Sequence, residues 1–104
     1  VKRVLDPVSP GELLEQEFLK PMGISHQRLA QEIVVAPQLI HEIITGKRAI
    51  TADLDLRLCR YLGLSNGYWL SAQAAYDTEV AQESLAEILE RITPWQANPP
   101  ISPA

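Results

Sequence analysis

Residues 37–48 concentrate the side chains whose types could recognise a ligand: Gln38, Leu39, His41, Glu42, Thr45, Lys47 and Arg48. An amide such as Gln38 can bond an adenine edge at two points, and a carboxylate such as Glu42 can accept from cytosine. His41 can bond a base or a phosphate, while Lys47 and Arg48 are cations of the kind that address a phosphate backbone. Plainer roles stand beside these. Gln38 can be a solvated amide, His41 a surface imidazole with a local partner, and Glu42 a solvated charge or an ion-pair partner. A second set lies just upstream, where Ser25 and His26 open a segment whose positive end suits a phosphate. Ser25 is first of all a cap there, and Arg28 is expected at the surface near the same place.

Catalytic chemistry finds little support. His26, His41 and the single Cys59 show no metal-ligand spacing, since a zinc site needs four convergent ligands. Cys59 lies in a leucine-rich segment and reads as a small buried hydrophobe. Ser9, Ser25 and Ser65 fall at helix starts, which accounts for them without a nucleophilic role. No glycine-rich phosphate loop is present. Neither an enzyme nor a metal or cofactor site is expected.

The elements that must position these side chains belong to one domain of 104 residues, 46% hydrophobic and 21% charged. One cysteine excludes an internal disulfide framework. No apolar run approaches the roughly 18–20 residues that span a bilayer, and Val1-Lys2-Arg3-Val4-Leu5 is too short for the start of a signal peptide. A cytoplasmic protein with no membrane partner is expected. The net charge of -4 at first opposes nucleic acid. Residues 1–76, however, hold eight Lys/Arg against eight Asp/Glu, whereas Asp77, Glu79, Glu83, Glu87 and Glu90 face only Arg91 in residues 77–104. A neutral body can carry a local basic patch.

The punctuation is helical throughout. Ser9-Pro10-Gly11-Glu12 combines a capping hydroxyl, a proline at the first helical position and a returning carboxylate. The helix it opens, with Leu14 and Phe18 on one face, should stop before Pro21. Ser25 caps a segment carrying Leu29, Ala30 and Ile33, and Pro37 starts another that Gly46 ends. Thr51 caps a helix with Asp53 and Asp55 near its positive end and Leu54, Leu58 and Leu62 spaced by four. Ser65 should open a longer stretch through Trp69 and Tyr76, with a break near Asp77-Thr78, continuing into Leu85, Ile88, Leu89 and Ile92. No segment shows sustained strand alternation. The fold class is therefore all-α, a compact bundle of five or six short helices.

Within it, two short helices at about 25–33 and 37–44, joined by a tight turn, have the layout of a bracing and a recognition helix. Ordinary helical-hairpin packing gives the same pattern. Further residues go beyond that pattern: Pro10-Gly11-Glu12, Arg28-Leu29-Ala30, the run from His41 through Gly46-Lys47-Arg48 to Asp53, and the run from Tyr68-Trp69-Leu70 to Asp77. Over residues 8–82 these blocks resemble, in order, the HigA/VapI family of antitoxins, which carry a lambda-repressor-like (XRE) helix-turn-helix domain. The resemblance implies a homodimer that binds double-stranded operator DNA, represses its own operon in a plasmid-maintenance module, and neutralises a RelE/HigB-like mRNA-cleaving toxin. Four positions depart from the family pattern: Val34 replaces a turn glycine, Ala36 a capping residue, Leu39 an arginine and His41 an asparagine. A valine at positive φ would be strained.

The expected organisation is an N-terminal arm at 1–8, a helix-turn-helix domain at 9–76, an acidic C-terminal helical extension at 77–93 and a Pro-rich tail at 94–104. Trp69, Ala72, Tyr76 and Val80 are candidate dimer contacts, because alanines allow close helix approach. The stripe Leu85, Ile88, Leu89, Ile92 can pack back, join a partner copy, or meet a basic toxin with its acidic flank. Two alternatives stay open: a stand-alone regulator, and a toxin-binding module with little DNA binding.

Overall fold

The computed structural model describes residues 7–95, so the expected arm and tail lie largely outside the described residues. The elements are α1 (Pro10–Leu13), a π-helical turn (Leu14–Leu19), α2 (Lys20–Met22), α3 (His26–Ile33), α4 (Pro37–Ile44), α5 (Ala52–Leu62), α6 (Tyr68–Ser84) and α7 (Ala86–Arg91). Backbone angles at Leu13, Leu14, Leu19 and Lys20 are all right-handed helical, so residues 10–22 form one rod. Counted that way there are six helices among the described residues, as the all-α reading expects.

Ser9 and Glu12 close a reciprocal capping box at the start of the rod. The rod does not stop before Pro21, which corrects the sequence expectation. In the π turn the Lys20 N–H donates to the Glu15 carbonyl, five residues back. That shift puts Pro21 in the opening turn of the next α segment, where no amide hydrogen is required. Gly23, at φ 67°, then ends the rod.

Leu14, Leu29, Ala30, Ile40, Leu58 and Trp69 are completely buried and form the centre of the core. Ala30 lies where α3 and α4 pack together, and its small size permits that approach. Trp69 packs edge-on to Phe18 and Tyr68, with ring centroids 5.2 and 5.1 Å away. It is thus a core residue of its own chain, and its assignment as a dimer contact is withdrawn.

The start of α6 also differs from expectation. Ser65 does not cap it; the helix begins at Tyr68, and Gly67 at φ 93° precedes it. The capping oxygens come from Asp55, buried on α5, which accepts from the Gly67 N–H (2.8 Å), the Trp69 N–H (2.8 Å) and the Leu70 N–H (3.3 Å). The Cys59 thiol shares its one hydrogen between the same carboxylate and the Ser65 carbonyl. Burial pushes the Asp55 carboxyl up, but these donors outweigh it and hold it below its ordinary value. No break occurs at Asp77-Thr78. The helix runs to Ser84, and Leu85 (φ -103°, ψ 7°) separates it from α7.

The turn between α3 and α4 places Val34 in the left-handed region, at φ 62° and ψ 54°. A β-branched residue there is strained. The turn is nonetheless well bonded. The Val35 N–H donates to the Ala30 carbonyl at 2.9 Å, and Arg57 Nη1 donates to the carbonyls of Ile33 (2.8 Å) and Val34 (2.9 Å). Asp53 aims the guanidinium by accepting from Nε at 2.6 Å.

Val34 is 78% exposed, so glycine there sacrifices little packing. Val34→Gly is expected to stabilise the fold by about 0.5–1 kcal/mol, after allowing for the entropy glycine loses on folding; an unchanged or lower Tm contradicts the strain. Asp55→Asn is expected to cost about 3 kcal/mol in urea unfolding, because an amide cannot accept all these donors. The Asp55 contribution is present above the unfolded carboxyl pKa of about 4 and is lost as pH falls through the lower folded value. Wild-type stability should therefore decline below about pH 4 more steeply than that of Asp55→Asn; parallel acid profiles would show that Asp55 is not the linked group.

Candidate nucleic-acid interface

Helix α4 is anchored from below by Ile40 and Ile43, 0% and 2% exposed. Each contributes about 2 kcal/mol of apolar burial. Its C-terminal end rests on the rod at Gly11, where any Cβ would collide with the Ile43 carbonyl. Gly11 was legible as part of a helix start, but this contact was not. The opposite face of α4 is open to solvent, with Gln38, His41 and Thr45 exposed.

Leu39 is an exception. It is half-buried and packs against the core, so its expected place on the recognition surface is corrected to a supporting one. Thr45 is at the surface, but its hydroxyl donates back to the His41 carbonyl at 2.9 Å and closes the helix end. Ala36 makes no side-chain cap at the start of α4, as its identity predicts.

Glu42 joins two other predicted residues. Its Oε1 accepts from Arg48 Nε at 2.8 Å and its Oε2 from Gln38 Nε2 at 3.4 Å. The Arg48 bond, then the Gln38 bond, hold its carboxyl below the ordinary value. Lys47 and Arg48 leave α4 through Gly46, at φ 78°, and both are exposed. Their loop is tied down where the Ile50 N–H donates to Gln73 Oε1 at 2.9 Å, while Gln73 Nε2 donates to Asp77.

Ser25 caps α3 by accepting from the Arg28 N–H at 3.0 Å. His26 turns back to the rod, its Nε2 lying 2.9 Å from Glu15 Oε1. Arg28 is exposed and pairs with Glu32 at 3.5 Å. The structure thus brings Gln38, Glu42 and Arg48 into one bonded group, with His41, Thr45 and Lys47 around them. Ser25, His26 and Arg28 stand on the bracing helix. Sequence reasoning missed Arg57 and Gln73. The four-residue spacing of Asp53 and Arg57 was visible, but the carbonyls they serve lie more than twenty positions away.

Of the candidate dimer residues, Ala72 and Tyr76 are half-buried and Val80 is 43% exposed. Tyr76 lines a cleft of about 220 Å³ together with Gly11, Ile43, Arg48, Gln73 and Asp77. Beyond it, α7 rests on α6, and every residue from 81 to 95 is exposed.

The family model described as Helix-turn-helix matches residues 16–69. Virulence-associated protein I of Dichelobacter nodosus is 44% identical over 87 residues, covering 84% of this chain and 81% of that protein. Antitoxin HigA-1 of Vibrio cholerae is 39% identical over 71 residues, covering 68% of this chain and 67% of that protein. The structure of Pseudomonas aeruginosa antitoxin HigA with the higBA promoter superposes with a TM-score of 0.79 at 34% identity, covering 85% of this chain and 97% of that one. An open α4 on buried isoleucines, a bonded turn before it and a cationic loop after it thus coincide with these matches, and the chain belongs to the helix-turn-helix family of HigA and VapI antitoxins.

Proposed function

We propose that the chain is a DNA-binding antitoxin that acts by binding rather than catalysis. The observation that carries this reading is the solvent-open face of α4, with Gln38 and His41 exposed along it and Lys47 and Arg48 at its end. The similar HigA of Pseudomonas aeruginosa has been solved with promoter DNA, which supports the same use here. In this arrangement α4 enters the major groove, Gln38 reads an adenine edge, and His41 bonds a base or a phosphate. Lys47 and Arg48 neutralise phosphates, with Ser25 and Arg28 beside the same backbone.

A homodimer places two α4 helices about 34 Å apart, one per half-site. The exposed apolar face of α6 and α7, including Val80, Leu85 and Leu89, supplies a surface for that pairing. The acidic residues of the same extension suit a RelE/HigB-like RNA-cleaving toxin, whose substrate is a polyanion. Binding the operator represses the operon encoding both proteins. Among the described residues no helix is long and apolar enough to cross a membrane, in keeping with work on cytoplasmic DNA.

In a gel shift with DNA from upstream of its own gene, the protein should bind specifically and more weakly as salt rises. Lys47→Ala/Arg48→Ala should weaken binding by about 10–100-fold and lower the salt slope by about two. An unaltered shift contradicts the assigned interface, and no specific shift from wild type contradicts operator binding. Co-expressed with the adjacent reading frame, the chain should co-purify with that product; failure leaves a stand-alone regulator.

A further inference from the structure

The carboxylate of Glu42 is the one acidic side chain on α4, and at 24% exposure it is held against the helix rather than extended into solvent. Both of its oxygens already accept hydrogen bonds from within the chain, one from Arg48 Nε and one from Gln38 Nε2. Each oxygen keeps a second lone pair, but a half-buried carboxylate tied to two neighbours of its own chain is less free to reach a cytosine. What it leaves unused on its two partners is more informative. With one Nε2 hydrogen on Glu42, Gln38 retains its carbonyl oxygen and its second N–H, the two groups needed to bond adenine N6 and N7 together. With Nε on Glu42, Arg48 retains both terminal amino groups for a phosphate or a guanine edge.

We infer that Glu42 is a positioning residue for operator recognition, fixing which way the Gln38 amide faces and where the Arg48 guanidinium points, without itself touching DNA. The inference rests on the operator-binding reading above and deepens it. A carboxylate accepts but cannot donate, so it turns the amino side of Gln38 toward itself and the carbonyl side outward. The backbone reinforces this placement, since the Glu42 carbonyl accepts from the Lys47 N–H at 2.8 Å and draws the cationic loop back to the helix.

Charge alone and positioning predict different outcomes. A carboxylate beside phosphates repels every duplex equally, so its neutralisation by itself would strengthen binding to any sequence. Glu42→Gln keeps the shape of the side chain but presents an amide that can meet Gln38 either way round. The expected result is binding to a scrambled duplex that is tighter by about two- to threefold, from loss of the repulsion. The ratio of operator to scrambled affinity should fall by about tenfold, the scale of one misread base.

The measurement is the pair of dissociation constants, operator and scrambled duplex of equal length at one salt concentration, for wild type, Glu42→Gln, Gln38→Ala and the double variant. Circular dichroism of each variant checks folding. Positioning through Gln38 requires that Glu42→Gln lower the ratio less in the Gln38→Ala background than in wild type. An unchanged ratio in Glu42→Gln, or equal effects in both backgrounds, overturns the inference while leaving operator binding intact. A wild-type protein that does not distinguish the two duplexes overturns both.

Discussion

The presentation of α4 depends on Arg57, a residue on a different helix. A helix can be offered to a partner only if the chain enters it at a fixed angle, and here the entry is a tight turn with a valine in the left-handed region. That conformation is unfavourable for valine by itself. Arg57 bonds the last carbonyl of α3 and the carbonyl of Val34 in the turn, Asp53 aims Arg57, and the Val35 amide closes back on Ala30. These bonds satisfy the carbonyls that a helix end leaves open. Buried isoleucines then fix α4 from beneath and the Gly11 contact fixes its far end, so the fold itself sets the orientation of the outward face.

A second long-range anchor organises the other half of the molecule. Asp55 lies on α5 but caps α6, and it replaces the local serine that a linear reading would choose. A buried carboxylate would be costly without partners; three amides and a thiol surround this one. The result orients α6 so that Trp69 enters the core and Gln73 reaches the loop bearing Lys47 and Arg48. The candidate interface is thus braced from both sides by groups that never face the solvent-open surface of α4.

Local features of this fold were legible in the sequence, and non-local ones were not. The caps at Ser9, Ser25 and Thr51 depend on partners three residues away, and all three form. Val34 was legible as a misfit because the turn demands a conformation that its own side chain resists. Pro21 misled because a π turn upstream changes which amides need partners. Trp69 misled because its neighbouring alanines suggested a helix contact, whereas Phe18, some fifty positions earlier, supplies its packing. At the interface, the residue types on α4 were readable, but the bonds that order them through Glu42 depend on how a helix and the loop after it fold together.

The segregation of charge along an elongated body, 56 × 29 × 21 Å, has an electrostatic consequence. With residues 1–76 summing to zero and the whole net charge of -4 in residues 77–104, the molecule carries a permanent dipole that points its negative end along this C-terminal spur. Near a polyanion such a dipole experiences a torque that swings the spur outward and the domain inward. Diffusional encounters with a duplex are thereby biased toward domain-first approach, and the spur stays on the far side, open to whatever protein arrives next.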